Sequence, residues 1–328
     1  MSDEGAHVLL GLSAVSLARW IASVWSSRIR RDSFVRVGKV SELNIFPVKS
    51  CPGIPLQTAK AEITGLVWED MYDRQWMLAR PNGDFLSQRH YSKMALIRVS
   101  SHKDDIHLDA PGQPTLVLKK NPPVDKSRFI MTRVWGLRLL GMDCGDEAAH
   151  WFQKFLQTEE DVRLVVSSGS MPKKDSSKEI KPWGNPAQPG DLALFSDFGG
   201  FLVMNEASLD TLNERLEKKV TFRTFRPNIV ISGCEAFAED CWDELRIGDK
   251  DPLSFRILDP CTRCVLTTVN PDTGERNKDR QPLETLKQFR CFPTYGNDPI
   301  FGVNAALDNT GSIKVGDSVY ALRKRRNS

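Results

Sequence analysis

The sequence predicts an α+β chain dominated by barrel-like β-sheets, and three observations carry that assignment. Short apolar or alternating runs recur between turn signals, only two stretches hold a sustained helical period, and no internal repeat is visible. A segment rich in Ser, Pro, Gly and Lys, residues 167–190, lacks any apolar period and divides the body near its middle as a linker loop.

The elements follow in order. Val40–Phe46 alternates loosely and predicts the first strand. Gln75–Ala79 predicts another, and Pro81-Asn82-Gly83-Asp84 is a hairpin turn signal. Ala95–Val99 and Thr115–Leu118 continue the β series. Ala149, Phe152, Phe155 and Leu156 share one face of a helix over Asp146–Leu156, opened by Cys144-Gly145. Beyond the linker, Phe201–Met204 predicts a strand, and Leu209, Leu212 and Leu216 predict a helix over Glu206–Lys218. Ile229–Ser232 and the β-branched run Val265–Val269 predict strands, the latter ending in the turn Asn270-Pro271-Asp272-Thr273-Gly274. Ile313–Tyr320, broken at Gly316-Asp317, closes the fold. The chain divides into an N-terminal segment with a basic flank (1–36), a first β-barrel domain (37–166), the linker (167–190), a second β-rich domain (191–322) and a basic tail (323–328).

The formal charge of +3 is unevenly placed, with +2 on residues 1–36, +4 on 323–328 and −3 on the body between. A body without a basic surplus lacks the phosphate-neutralising surface that nucleic-acid binding requires. Residues 8–25 are mostly apolar around Arg19, barely long enough to span a bilayer. The acidic start (Asp3, Glu4) and the missing cleavage site argue against a secretory signal. Arg28, Arg30 and Arg31 follow, so positive-inside logic keeps the body on the cytosolic side of a short membrane anchor. An amphipathic targeting peptide and a surface helix are the alternatives.

Seven scattered cysteines do not form a disulfide framework. GxGxxG, P-loop, GxSxG and HExxH motifs are absent, and the five histidines have no metal-ligand spacing. Cys261-Thr262-Arg263-Cys264 is the one close cysteine pair, and a zinc site would need a second. A thioredoxin-like dithiol would open a helix, whereas this pair runs into the predicted strand 265–269. Two readings remain: two ordinary thiols, or one thiolate at a strand edge with Arg263 beside it. Pro47-Val48-Lys49-Ser50-Cys51, Asp73-Arg74-Gln75-Trp76, Ser87-Gln88-Arg89 and Phe225-Arg226-Pro227-Asn228 put cations at turns and strand ends. Such positions suit an anion cradle, because guanidinium forks bind phosphate bidentately.

Ile45-Phe46-Pro47-Val48-Lys49-Ser50-Cys51, Asp73-Arg74-Gln75-Trp76, Phe225-Arg226-Pro227-Asn228-Ile229-Val230 and Cys261-Thr262-Arg263-Cys264 occur in that order, followed by Phe301-Gly302-Val303-Asn304 and Val315-Gly316-Asp317. In this order the motifs closely resemble the amidoxime-reducing members of the family that shares the molybdenum cofactor sulfurase C-terminal (MOSC) domain. The resemblance runs from about Val37 to Leu322. It implies a β-rich MOSC domain preceded by a MOSC N-terminal β-barrel domain, with the N-terminal segment as a mitochondrial outer-membrane signal anchor.

The resemblance further implies a molybdenum cofactor, its metal held by two pterin dithiolene sulfurs and by one protein thiolate, matched to Cys264. Lys49, Ser50, Arg74, Arg226, Asn228, Thr262 and Arg263 would hold its phosphate and pterin edges, and Asn304 would close over it. In the loop Ser196-Asp197-Phe198-Gly199-Gly200, Ser196, Phe198 and Gly199 would add contacts through their backbone, and Asp197 is the candidate proton donor by position. Two departures stand out: Phe198 and Gly199 replace small hydroxyl residues of the family, and Asn304 replaces a tyrosine of some members. The implied reaction reduces amidoximes, N-hydroxylated amines, N-oxides and, by extension, nitrite, with electrons from cytochrome b5 and its NADH-dependent reductase. The alternative is a molybdenum-cofactor or sulfur carrier module without turnover.

Overall fold

The computed structural model describes residues 34–324. An eight-stranded sheet closes on itself through β1 (Val35–Ile45), β2 (Phe201–Asn205), β3 (Ile229–Ser232), β4 (Trp242–Ile247), β5 (Leu253–Thr262), β6 (Ile300–Leu307) and β7 (Ser318–Arg323), numbered here within the barrel alone. The order around the barrel is β3, β2, β6, β5, β4, β7, β1, and β1 returns to β3 with Leu43 opposite Ile229. Closure removes the edges of the seven-stranded ring itself. Ile54–Leu56 is the eighth member, hydrogen-bonded to β1 outside the ring. The strand that begins the described chain therefore belongs to a barrel otherwise built from residues 201–323.

Every neighbouring pair is antiparallel except β2 and β3, which are parallel. A parallel pair needs a long crossover. Here two helices supply it, α2 (Glu206–Asn213) and α3 (Phe222–Phe225), with α1 (Asp146–Leu156) lying earlier in the chain. The barrel interior is apolar: Leu43, Phe201, Val203, Trp242, Phe255 and Val303 are all buried within it. Each such side chain contributes about 1.5–3 kcal/mol by leaving water.

A second core gathers Trp76, Leu78, Met94, Ile106, Phe152 and Leu164. It lies under the sheet of Trp76–Ala79, Phe129–Val134, Leu137–Asp143 and Arg163–Val166, and under the sheet of Arg98–His102, Asp105–Asp109 and Leu116–Lys119. Helix α1 covers this core with Trp151, Phe152, Phe155 and Leu156, and has Asp146 and Glu147 in its first turn, where the helix dipole favours them. At the turn after Trp76–Ala79, Gly83 has φ 87°, and a Cβ there would lie 2.1 Å from the Met131 carbonyl oxygen, so only glycine fits.

The structure departs from the sequence expectations in local ways. The helix predicted over Glu206–Lys218 stops at Asn213, whose side chain bonds both the N–H and the carbonyl of Val220 and turns the chain back. Ala95–Val99 splits into a 3-10 turn, Ser92–Leu96, and the start of strand Arg98–His102. The strand predicted over Val265–Val269 is instead a 3-10 turn, Val265–Thr268. There the Thr267 and Thr268 hydroxyls donate to carbonyls three residues back, at 2.9 and 2.8 Å, and these local bonds override β propensity. Residues 167–190 are largely irregular and run over the surface, yet Lys174 and Ser176 within them are buried.

The predicted anchor over 8–25 lies outside the described residues. Among the described residues no helix is long and apolar enough to cross a membrane.

Candidate functional site

Two of the sequence motifs meet where the chain leaves β1. Arg74 N–H donates to the Phe46 carbonyl (2.7 Å), Trp76 N–H to Pro47 (3.0 Å), and Lys49 N–H to Trp76 (2.8 Å). The junction turns sharply: φ is 69° at Ser50 and 50° at Arg74. Arg226, which ends α3, is also left-handed, with φ 64°. Non-glycine residues in this region are strained, and strain of this kind concentrates at functional sites.

These three line one cleft together with Lys49, Ser196, Asp197, Phe198, Gly199, Asn228, Thr262, Arg263, Cys264 and Asn304. The cleft encloses about 140 Å³ and opens to solvent at its mouth.

Buried Asp73 organises the cationic wall. Its Oδ1 accepts from Phe46 N–H (2.8 Å) and Asn228 Nδ2 (3.0 Å), and its Oδ2 pairs with Arg74. Asn228 Oδ1 in turn accepts from Arg74 Nη1 and Leu202 N–H, both at 3.1 Å, so Asn228 braces the arginine. Arg74 and Arg226 lie 4.4 and 4.5 Å from the same Phe46 ring. Burial first, then repulsion from Arg74, works against the charge on Arg226. Its Nη2 is buried with no hydrogen-bond partner, and so is Ser196 Oγ. A buried donor left unmade costs about 1–3 kcal/mol, so this wall is built for a ligand that accepts hydrogen bonds and carries negative charge.

Opposite stands the Asp197 loop. Lys49 Nζ donates to the Phe195 carbonyl (2.8 Å) and pairs with Asp197 Oδ1. Burial lowers the basicity of Lys49, and Asp197 offsets part of that loss. For Asp197 burial works against ionisation, but Lys49 and the Trp135 indole outweigh it and hold the carboxyl below the usual range. The group sits among many protein atoms while 65% of its side-chain surface meets the open cleft. Lys174 Nζ donates to the carbonyls of Ser196 (2.7 Å) and Asp197 (2.6 Å), fixing the loop from behind. The Gly199 N–H is taken by Ser176 Oγ at 3.2 Å, so it does not face a ligand. Lys181 packs on the Phe198 ring and pairs with Asp259 (2.6 Å), which also accepts from Asn304 Nδ2 at 3.0 Å.

The cysteine pair closes the cleft at the end of β5. Arg263 donates to Phe301 (2.8 Å) and Phe225 (3.0 Å) carbonyls, so its guanidinium braces the wall rather than reaching for a ligand. Cys264 lines the cleft and is partly exposed. Burial raises the Cys261 thiol, and it pushes Cys51, Cys144 and Cys234 up to about 12. Among the described residues no three His, Cys, Asp or Glu side chains cluster as a metal site. A lone soft thiol suits a metal whose other ligands come with the cofactor.

Sequence reasoning did not single out Asp73, Lys174, Phe85 or Trp135 for this site. Asp73 and Lys174 act through the loops they hold, while Phe85 and Trp135 line the cleft itself. The Trp135-Gly136 pair between apolar residues was a readable turn signal.

Residues 37–159 match the MOSC N-terminal beta barrel domain and residues 193–320 the MOSC domain. The mitochondrial amidoxime-reducing component 1 of Mus musculus is 40% identical over 95% of this chain and 90% of its own length. Its Homo sapiens counterpart is 40% identical over 95% of this chain and 91% of its own. The mitochondrial amidoxime reducing component 2 of Bos taurus is 40% identical over 89% and 86%.

Proposed function

Because this chain belongs to the MOSC-domain family of mitochondrial amidoxime-reducing components, we propose that it is a molybdenum-cofactor-dependent reductase of N-oxygenated compounds. Its substrates are amidoximes, N-hydroxylated amines and N-oxides, with nitrite as an extension of the same bond cleavage. The supporting observation is one cleft that pairs a partnerless buried guanidinium nitrogen on Arg226 with a partly exposed thiol on Cys264. That combination suits a ligand with an anionic end and a soft metal at the other.

When bound, the cofactor supplies the two-electron, oxygen-accepting chemistry that breaks an N–O bond. Cys264 would ligate the metal. Arg226 and Arg74, aimed by Asp73 and Asn228, would hold the phosphate, with Lys49, Ser50 and Ser196 on the same rim. Asp197, expected from its position to donate a proton, is instead held ionised at neutral pH by Lys49 and Trp135 and accepts hydrogen bonds; the proton of the Lys49–Asp197 pair resides on Lys49. Thr262, Phe198 and Asn304 line the same cleft and would add contacts to the cofactor. The electrons come from cytochrome b5 and its NADH-dependent reductase, and residues 8–25 anchor the body to the outer mitochondrial membrane facing the cytosol.

The test is NADH oxidation by holoprotein reconstituted with cytochrome b5 and its reductase, with and without benzamidoxime. Substrate-dependent oxidation with benzamidine as product is the expected result. Molybdenum-replete protein that turns over nothing would instead be a cofactor carrier.

A further inference from the structure

The turn Trp135-Gly136 joins strands Phe129–Val134 and Leu137–Asp143, with Val134 opposite Leu137. Two-residue hairpin turns of this kind require positive φ at both positions, which is why Asn, Asp and Gly dominate them. Here φ is 48° at Trp135 and 89° at Gly136. A tryptophan in that conformation is strained. It is also 48% exposed, so neither backbone preference nor core packing accounts for it.

Its ring lines the cleft mouth. The indole Nε1 donates to Asp197 Oδ1 at 2.8 Å. Phe85 meets the ring edge-on at 5.6 Å, and the Arg89 guanidinium lies 4.5 Å from Trp135 and 5.2 Å from Phe85. Phe85, Arg89 and Trp135 also line an outer recess that opens to solvent. The three side chains thus form the sill between solvent and the cleft interior.

We propose that Phe85, Arg89 and Trp135 are the binding rim for the flat organic body of an N-hydroxylated aryl substrate, with Asp197 Oδ2 accepting its N–H or O–H. The inference rests on the reductase reading above. An aryl amidoxime offers a planar π surface to two rings and a guanidinium, which favour such faces. It also offers several donors. Asp197 Oδ1 already serves Lys49 and Trp135, while among the described residues no donor is bonded to Oδ2. Free hydroxylamine has no surface to fill the rim. The rim therefore sets preference for aryl over small substrates and leaves bond cleavage to the interior.

The informative variant is Trp135→Asn, because asparagine suits the turn's left-handed position and removes the ring without breaking the hairpin. Two measurements on molybdenum-replete holoprotein decide the matter. The first is the KM for benzamidoxime divided by that for hydroxylamine, with cytochrome b5 as donor. The second is calorimetric binding of benzamidoxime to oxidised holoprotein without donor. In W135N the KM ratio rises and benzamidoxime binding weakens, each by about tenfold, and Arg89→Gln moves both in the same direction. An unchanged ratio and unchanged binding in both variants overturn the rim. Wild-type holoprotein that reduces neither substrate refutes the reductase reading instead, while the calorimetric comparison still judges the rim.

Discussion

The ammonium of Lys174 donates to the Asp197 carbonyl oxygen at 2.6 Å across 23 positions of sequence. A second bond, to the Ser196 carbonyl at 2.7 Å, makes the segment after residue 170 part of the cleft wall. Lys174→Met would bury two carbonyls without donors while removing a buried charge. Unmet polar groups cost about 1–3 kcal/mol each, and the discarded charge offsets part of that. We expect K174M to lose roughly 2 kcal/mol by urea unfolding and to retain less cofactor. Unchanged stability would mean that the loop is held by Ser176 and Lys49 alone.

The same lysine sets a pH dependence. Burial pushes its ammonium down to about 8 from the ordinary 10.5, with Glu179 resisting. Below about 8 both folded and unfolded chains hold the proton, and the unfavourable buried charge is constant. Between about 8 and 10.5 the unfolded chain holds a proton that the folded one has released, so unfolding free energy rises with pH, by up to ~1.4 kcal/mol per unit. Wild type should therefore gain on K174M between pH 8 and 10 in paired urea titrations. Parallel curves would contradict the sign.

Arg226 separates stability from ligand retention. Its Nη2 lacks a partner, and its charge is opposed by burial and by Arg74. Arg226→Met keeps the chain stem over Phe46 and keeps the backbone carbonyl that accepts from Arg74. The cofactor-free protein should be no less stable than wild type, and more stable by up to about 1 kcal/mol. Bound molybdenum and pterin should fall by at least tenfold in purified protein. A variant that loses stability yet keeps its cofactor would show that the guanidinium is structural.

Cys264 and Cys261 make a matched pair of substitutions. Cys264→Ser should abolish bound molybdenum, measured by elemental analysis, with little change in melting temperature of the cofactor-free protein, because this thiol is only partly buried. Cys261→Ser should keep the metal. Loss of metal in both variants, or in neither, would remove Cys264 from the ligand role.

The sequence was most legible where local chemistry decides the outcome. Helix α1 falls on Asp146–Leu156 because its apolar face, acidic first turn and preceding Gly145 all agree. It was least legible where a distant partner decides. Lys174 and Lys181 look like solvated charges in a Ser/Pro/Lys stretch, and their partners Ser196, Asp197 and Asp259 lie 22 to 78 residues away. The run after Cys264 carries β-branched residues but turns as a 3-10 helix, since hydroxyl bonds within four residues are invisible to propensity. The cleft cations were readable because their motifs sit at strand ends. Their aim was not, because it depends on Asp73 meeting Asn228 across 155 positions.

The Lys49–Asp197 pair yields an asymmetric mutant cycle. Lys49 is 7% exposed and Asp197 65%, so the two ends differ in how well water replaces a lost partner. Asp197→Ala leaves a buried ammonium with one carbonyl partner, Phe195, and should cost about 2 kcal/mol, below the 3–5 typical of fully buried pairs because half of this one faces water. Lys49→Met leaves a carboxylate that water and the Trp135 indole still solvate, so it should cost under about 1 kcal/mol. With Lys49 already gone, removing Asp197 should then cost little, giving a coupling energy of at least about 1 kcal/mol. Urea unfolding of the four cofactor-free proteins measures it. Strict additivity would show that the two groups are solvated independently, and that this ion pair does not hold the loop in place.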